Sequence, residues 1–496
     1  MRVLKPADAV WLLNERRDTP AHVGGLMQCS KPDDAPESFV ADLVASWRRQ
    51  TTFVTPFNLR PHFVPIPAWE TLADDEIDLD YHLRHSALPR PGGERELGIL
   101  VSRLHSHPLA RHRPLWECHV IEGLAEDRFA IYWKFHHSML DGMAAMKLLD
   151  RGYSEDPDER DRLPLWAAPV YRSRRGSRGA SGEESTATDD DAGARNGGTP
   201  STSLVRRTRA LAKAPFRSAR AAAGLADGAR QVAGVGLQQI RETVLPRNKD
   251  HAVPFRAPRT ILNGTIHGPR RFATQHYPVD RLKAMARESD ATINDILLAI
   301  CGGALRTYLA ERDALPSRSL VATLPVSVRA ADDEGAGNAI TFIHALLGTD
   351  EQDVRSRLRK IAASTGAAKA LIADLPRWTM DGYTILLMGP YLGQLALGLG
   401  ARGRPMHNIV ISNVRGPATT RYVEGGPVDE MFPVSLLFDG QALNITAVSY
   451  AGEFCIGFTG CRDSLASMQR IAVYCGEAAD ELDGGAAKDV PVYGTA

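Results

Sequence analysis

The stretch Phe129-Ala130-Ile131-Tyr132-Trp133-Lys134-Phe135-His136-His137-Ser138-Met139-Leu140-Asp141-Gly142 carries a fold signal and a chemical signal together. Phe129, Ile131, Trp133 and Phe135 alternate with Ala130, Tyr132 and Lys134, a period of two that predicts a strand with one face in a core. His136 and His137 then stand at the strand end. Beyond Gly142, the residues Met143, Ala144, Ala145, Met146 and Leu149 predict a helix that lays one apolar stripe against that sheet. The intervening residues are a short loop between two buried elements. Adjacent side chains at such a corner point different ways, so one imidazole faces a given cleft and the other turns into the scaffold. One is enough for base catalysis. Imidazole, with an ordinary pKa of about 6.5, accepts a proton from an alcohol near neutral pH and can pass it to a leaving thiolate. An ionised carboxylate such as Asp141 can hold a ring, or a neighbouring arginine, without touching substrate. Gly142 would relieve crowding where the loop enters the helix. The competing explanations are a structural histidine pair, or a metal held with Asp141. Zinc would want a further ligand at recognisable spacing, and none follows.

This HHxxxDG pattern resembles the catalytic motif of the CoA-dependent acyltransferase superfamily, which includes chloramphenicol acetyltransferase and the condensation domains of peptide synthetases. Five further segments narrow the resemblance to the bacterial wax ester synthase/diacylglycerol acyltransferase family, nearly end to end apart from a central linker. They are Pro20-Ala21-His22-Val23-Gly24-Gly25-Leu26, Arg113-Pro114-Leu115-Trp116-Glu117 (similar to the PLW motif) and Ala291-Thr292-Ile293-Asn294-Asp295 (similar to the ND motif). The others are Leu324-Pro325-Val326-Ser327-Val328-Arg329 with Gly337-Asn338, and Asn408-Ile409-Val410-Ile411-Ser412-Asn413-Val414 with Gly416-Pro417. Ser138 and Arg415 depart from the family pattern, where a small apolar residue and a proline are usual.

The resemblance implies an α/β fold with mixed sheets, built as two chloramphenicol-acetyltransferase-like domains with the active site in the cleft or channel between them. It implies acyl-CoA-dependent O-acyl transfer that makes triacylglycerol from diacylglycerol, wax ester from long-chain alcohols, or both. His137 would be the base, His136 would shape the site, and Asp141 would be structural, paired with an arginine for which Arg329 is a candidate. Pro114, Leu115, Trp116 and Gly142 would line the substrate channel, and Asn294 and Asp295 would support it from the second half. Taken alone, Pro-Leu-Trp is most simply a strand entry with core residues, and Asn294 could merely cap the helix that follows. No cofactor is implied, since acyl-CoA is a substrate, and no metal. Two other functions compete: a condensation-type enzyme using carrier-protein thioesters, and an inactive lipid-binding or droplet-coating protein.

With 496 residues the chain has room for two cores, since single cores stop growing at roughly 250 to 300 residues. Basic and acidic residues balance at 59 each, so nothing in the overall charge suggests nucleic acid as a partner. The six cysteines lack CxxC spacing and are expected to be buried and reduced, as in the cytoplasm. The N-terminus lacks a signal-peptide core, which makes the sequons at Asn263 and Asn444 irrelevant. The first domain is placed at residues 1–165 and the second at 251–496, with a connector over 166–250. Within the connector, Arg172 to Ser203 reads as a disordered linker, and Leu204 to Leu245 as a helical stretch carrying Arg206, Arg207, Arg209, Lys213, Arg217 and Arg220. Such a basic amphipathic stretch favours an anionic membrane surface, so a peripheral seat on the inner membrane face or on lipid inclusions is expected.

Gly382 to Gly400 is free of charge, but Pro390, Gln394 and several glycines interrupt it, which predicts a buried helix rather than a span. Gly398, Gly400 and Gly403 spell GxGxxG after a helix, which is the wrong context for a dinucleotide site. His105, His107, His112 and His119, with Cys118, match no common zinc spacing.

Overall fold

The structure, a computed structural model, describes residues 2–4, 6–63, 67–140, 142–168, 252–327, 340–373 and 380–484. The first half runs β1 (Arg2–Val3), α1 (Pro6–Asn14), β2 (His22–Ser30), α2 (Phe39–Arg48), β3 (Leu59–His62), β4 (Ala68–Thr71), α3 (Leu79–His82), β5 (Leu83–Ala87), α4 (Glu94–Ser106), β6 (Trp116–Glu122), β7 (Arg128–His136) and α5 (Gly142–Gly152). The second half begins with β8 (Arg270–Pro278), α6 (Val279–Glu288), α7 (Ile293–Ala310), β9 (Val321–Ser327), β10 (Ile340–Leu346), α8 (Val354–Ala373) and α9 (Met380–Ala396). It ends with β11 (Ile409–Arg415), β12 (Tyr422–Val423), β13 (Gly426–Val434), β14 (Leu443–Tyr450), β15 (Glu453–Cys461) and α10 (Arg470–Leu482). The linker, the basic stretch from Arg206 to Arg220, Asp141, Arg329, Gly337 and Asn338 lie outside the described residues.

Two six-stranded mixed sheets result, ordered β12-β13-β2-β7-β6-β5 and β10-β9-β11-β14-β15-β8. β7 is therefore a central strand, and this corrects the expectation of one buried face. Phe129, Ile131, Trp133 and Phe135 pack with Trp116, Trp166, Met146 and Leu149 on one side. On the other side Ala130 and Tyr132 pack with Leu97 and Val101 of α4 and with Phe272, Phe432 and Cys455 of the second half. A strand covered on both faces shows period two only as a change of neighbour, not as exposure.

The halves are sewn together by β12 and β13, which leave the second half and extend the first sheet. Phe432 pairs with Leu26 and Val434 with Gly24 along β2. A division near residue 251 misses this exchange, because strand pairing over 400 residues leaves no local pattern. The same strand lies across β15, where a Cβ on Gly457 would stand 1.8 Å from the Pro433 carbonyl oxygen. Only glycine permits that approach.

In the second half α7 is long and apolar enough to cross a membrane, but its side chains fill the core with α8 and α10. Thr292 and Asp295 form a reciprocal capping box at its start: Asp295 N donates to Thr292 Oγ1 at 3.2 Å, and Thr292 N donates to Asp295 Oδ2 at 3.0 Å. Thr292, not Asn294, is thus the cap. The charge-free stretch becomes α9, yet it is not a buried helix. Tyr383, Leu387 and Tyr391 face inward while Ile385, Leu386 and Leu397 are exposed. All six cysteines are buried and none is paired with another, and Asn263 and Asn444 are buried as well.

Candidate functional site

β7 delivers the two histidines to a turn held by backbone bonds from three directions. His136 N donates to Leu115 O at 3.0 Å, His137 N to Ala21 O at 2.8 Å, and Met139 N to His136 O at 2.9 Å. The first two bonds tie the motif to the Pro-Leu-Trp segment and to the strand that opens at His22. They fix the backbone whatever the side chains do.

The two imidazoles part as strand geometry requires. His136 is fully buried, while His137 is half-buried. Ser138 N donates to His136 Nδ1 at 3.2 Å, and a backbone N–H can only donate, so Nδ1 accepts and the ring hydrogen sits on Nε2. Ser138 Oγ lies 2.7 Å from the same Nδ1. The serine that departs from the family pattern therefore helps to orient His136. On the other edge, Nε2 faces Glu15 Oε2 at 3.6 Å.

Glu15 itself is buried and well supplied with donors. Arg111 Nε donates to its Oε2 at 2.9 Å and Ala21 N to its Oε1 at 3.0 Å. Burial alone would raise the carboxyl pKa, but His136, the Ala21 N–H and Arg111 together hold it down at about 2. Glu15 is thus a fixed anion behind His136, supported by an arginine. The resemblance implies a comparable carboxylate–arginine pair at Asp141, with Arg329 the candidate partner, and both lie outside the described residues. Glu15→Gln keeps the shape and removes the charge. Charge-assisted hydrogen bonds contribute about 1.5–3 kcal/mol, so turnover is expected to fall about 10- to 100-fold. Steady-state kinetics check this, and an unchanged kcat would show that the charge has no part in the chemistry.

His137 turns the other way, into the seam between the halves. The Trp11 indole of α1 stacks on its ring, with centroids 4.0 Å apart and planes at 21°, and continues to Phe438 of the second half at 5.8 Å. The base candidate thus reaches the second half through Trp11, which lies against both its ring and Phe438. At the start of α5, a Cβ on Gly142 would meet only Val414 of β11, at 4.0 Å. That is ordinary contact, so crowding does not explain the glycine.

The other expected site residues are structural in this geometry. Leu115 and Trp116 have no exposed surface. Trp116 stacks on His82 at 4.3 Å, meets Phe57 edge-on at 5.2 Å, and donates its indole N–H to Phe57 O at 2.9 Å. The channel-lining expectation for this pair gives way to a core role, with Pro114 leading into β6. Asp295 is buried and accepts from Thr365 Oγ1 at 2.7 Å, which binds α7 to α8, while Asn294 is half-buried beside it.

A second buried polar layer lies along β7. His105 Nε2 donates to Ser435 O at 2.9 Å, so its Nδ1 accepts from the Tyr132 hydroxyl at 2.7 Å. His22 Nε2 donates to His105 O at 2.7 Å. His119 Nε2 lies 3.1 Å from Glu117 Oε2. Of the histidines grouped with Cys118 as a loose cluster, His105 and His119 are thus engaged with other partners. Burial drives the pKa of His105 down to about 3 and those of His82 and His407 down to about 4, and pushes His22 well below its ordinary value.

These depressed values set a direction for stability. As pH falls below about 6.5, the unfolded chain takes up protons that the folded chain refuses, so stability is lost at up to about 1.4 kcal/mol per pH unit per histidine. His276 opposes this, because its hydrogen bond to Glu430 raises its pKa. Burial lowers His119 as well, so five histidines stand against one and the thermal midpoint is expected to fall steadily from pH 7 to pH 5. A midpoint that stays flat over that range would contradict the neutral assignment.

A family model described as wax ester synthase/diacylglycerol acyltransferase catalytic domain matches residues 4–297, and one described as WS/DGAT C-terminal domain matches residues 336–483. A Mycobacterium tuberculosis protein carrying a diacylglycerol O-acyltransferase name is 43% identical over 488 residues, covering 97% of each chain. O-acyltransferase WSD of Acinetobacter baylyi is 36% identical over 492 residues, covering 98% of each. The solved wax ester synthase/diacylglycerol acyltransferase of Marinobacter aquaeolei superimposes with a TM-score of 0.74 at 34% identity, over 97% of this chain and 99% of that one. A condensation domain of the calcium-dependent antibiotic synthetase shares the fold alone, at 17% identity and a TM-score of 0.52.

Proposed function

This chain belongs to the wax ester synthase/diacylglycerol acyltransferase family, and from that premise we propose that His137 is the general base of its acyl-CoA-dependent O-acyl transfer. The enzyme forms neutral lipid, taking an acyl-CoA and either diacylglycerol or a long-chain alcohol. The observation that carries the assignment is the half-buried His137 ring in the seam between the halves, stacked on Trp11, while His136 turns inward to Glu15.

In this mechanism the acceptor hydroxyl gives its proton to His137 as its oxygen attacks the thioester carbonyl carbon. The tetrahedral intermediate collapses by breaking the carbon–sulfur bond. His137 then returns the proton to the departing CoA thiolate, which leaves ester and free CoA with no acyl-enzyme. Both substrates must meet at one ring, and a base linked through Trp11 to Phe438 of the second half suits approach along the seam between the halves. Trp11 covers one face of the imidazole and limits its rotation, which keeps the reacting nitrogen aimed. Glu15 and Arg111 act through His136 and the shared backbone turn, as positioning residues.

Peripheral association with the inner membrane face or with lipid inclusions belongs to the same proposal, because the acceptors dissolve in apolar phases. The basic stretch from Arg206 to Arg220 supports it by charge. Purified enzyme with palmitoyl-CoA, offered hexadecanol and diacylglycerol separately, tests the function. Ester and free CoA in equal amounts with at least one acceptor is the expected result, and CoA release without ester would contradict it.

A further inference from the structure

Helix α9 is apolar on the side where water should be. Its inner face places Tyr391 6.2 Å from Phe438, the residue that carries the stack from Trp11 and His137. Its outer face presents Gly382, Ile385, Leu386, Pro390, Gly393 and Leu397, at the spacing of one helical stripe, and none has a polar side chain. Ile385 is 71% exposed and Leu397, in the following turn, 76%. Leu13 on α1, 66% exposed, stands one turn before Arg16, whose Nη2 bonds Ala396 O at 3.2 Å and brings the two helix ends together. A contiguous apolar face of this kind marks contact with another phase or molecule.

The charges around it identify which. Arg16, Arg17, Arg259, Arg402 and Arg404 are exposed at the end of α9 and α1, and Arg259 anchors the turn by donating to the carbonyls of Ala401 and Gly403. Among the described residues beside them, Asp18 is exposed, its Oδ1 accepting from Gly268 N at 2.9 Å, and Asp439 is half-buried, its Oδ2 accepting from Ala401 N at 3.1 Å. A twofold contact between copies of this chain would set these arginines against one another. An anionic lipid surface would complement them.

We propose that the outer face of α9, with Leu13 of α1, seats the enzyme on an anionic phospholipid bilayer, with the arginines at the headgroups. The inference rests on an apolar acceptor, as proposed above, which would then reach His137 past Trp11 and Phe438 without crossing water. Full-length protein is floated with phosphatidylcholine vesicles, with and without phosphatidylglycerol. Wild type is expected to float with the anionic vesicles, and both Ile385→Glu/Leu397→Glu and Arg402→Glu/Arg404→Glu to lose about tenfold or more of that binding. Esterification of a short, water-soluble alcohol without vesicles should be unchanged in both variants, which shows that they fold and separates docking from chemistry. Variants that float like wild type would overturn the proposal. So would a wild-type dimer that the apolar substitutions convert to monomer with flotation unaltered. Absence of ester from any alcohol would instead overturn the acyltransfer chemistry, and flotation would still decide the docking face.

Discussion

The His137→Ala variant is expected to lose about 100- to 10,000-fold in kcat/KM for ester formation, the range that a positioned general base contributes. Its fold should survive. His137 is held by its backbone N–H to Ala21 O at 2.8 Å, a bond that alanine keeps, and the lost side chain is half-buried rather than a core filler. The loss is therefore expected in turnover, with the thermal midpoint little changed. Because Glu15 acts through the histidine pair, adding Glu15→Gln to His137→Ala should cost little more than His137→Ala alone. Full additivity of the two losses would place Glu15 in an independent role. Wild-type turnover in His137→Ala would remove the ring from the chemistry altogether.

The largest expected loss of stability comes from Glu117→Gln, at about 3–5 kcal/mol, the cost of stripping a buried cation of its counter-charge. Lys134 has no exposed surface, donates to Leu104 O at 3.0 Å, and lies 3.5 Å from Glu117 Oε2. Burial lowers its pKa to about 8 even with Glu117 raising it. Burial likewise works to raise the Glu117 carboxyl, but His119, Lys134 and Arg84 outweigh it and hold that pKa at about 2. Without the carboxylate, the folded Lys134 pKa drops further while the unfolded value stays at about 10.4. The unfolded chain then binds more protons over that whole interval, so the variant should gain stability as pH rises above 7 more steeply than wild type. Thermal unfolding at pH 7 and pH 9 checks both statements. Glu117→Met with Lys134→Met should recover much of the loss, because the pair is removed together. A single Glu117→Gln variant as stable as wild type would show that Lys134 is neutral in the folded chain.

The legible parts of the site are those written contiguously. Phe129 to Gly142 announces its strand, its turn and its helix through local periodicity, and the histidines at the strand end must diverge. Less legible was the capping of α7, where Thr292 and Asp295 close the box and Asn294 only follows. Trp11, Glu15 and Arg111 were missed. Trp11 and Glu15 are four apart near the N-terminus of the chain, a spacing that signals a helix face but no chemistry. Arg111 reaches Glu15 across 96 residues of chain.

What the sequence determined by itself is the family, the mixed α/β architecture and the HHxxxDG loop, because these rest on short-range patterns and on motifs in order along the chain. Only the tertiary structure decided that His136 turns to Glu15 while His137 turns to Trp11, and that β13 closes the first sheet. It alone shows α9 keeping a bare apolar face toward solvent. Each of these depends on which distant segments meet. Apolar composition sets how much surface should be covered, but it cannot say which side of a helix the rest of the chain leaves uncovered.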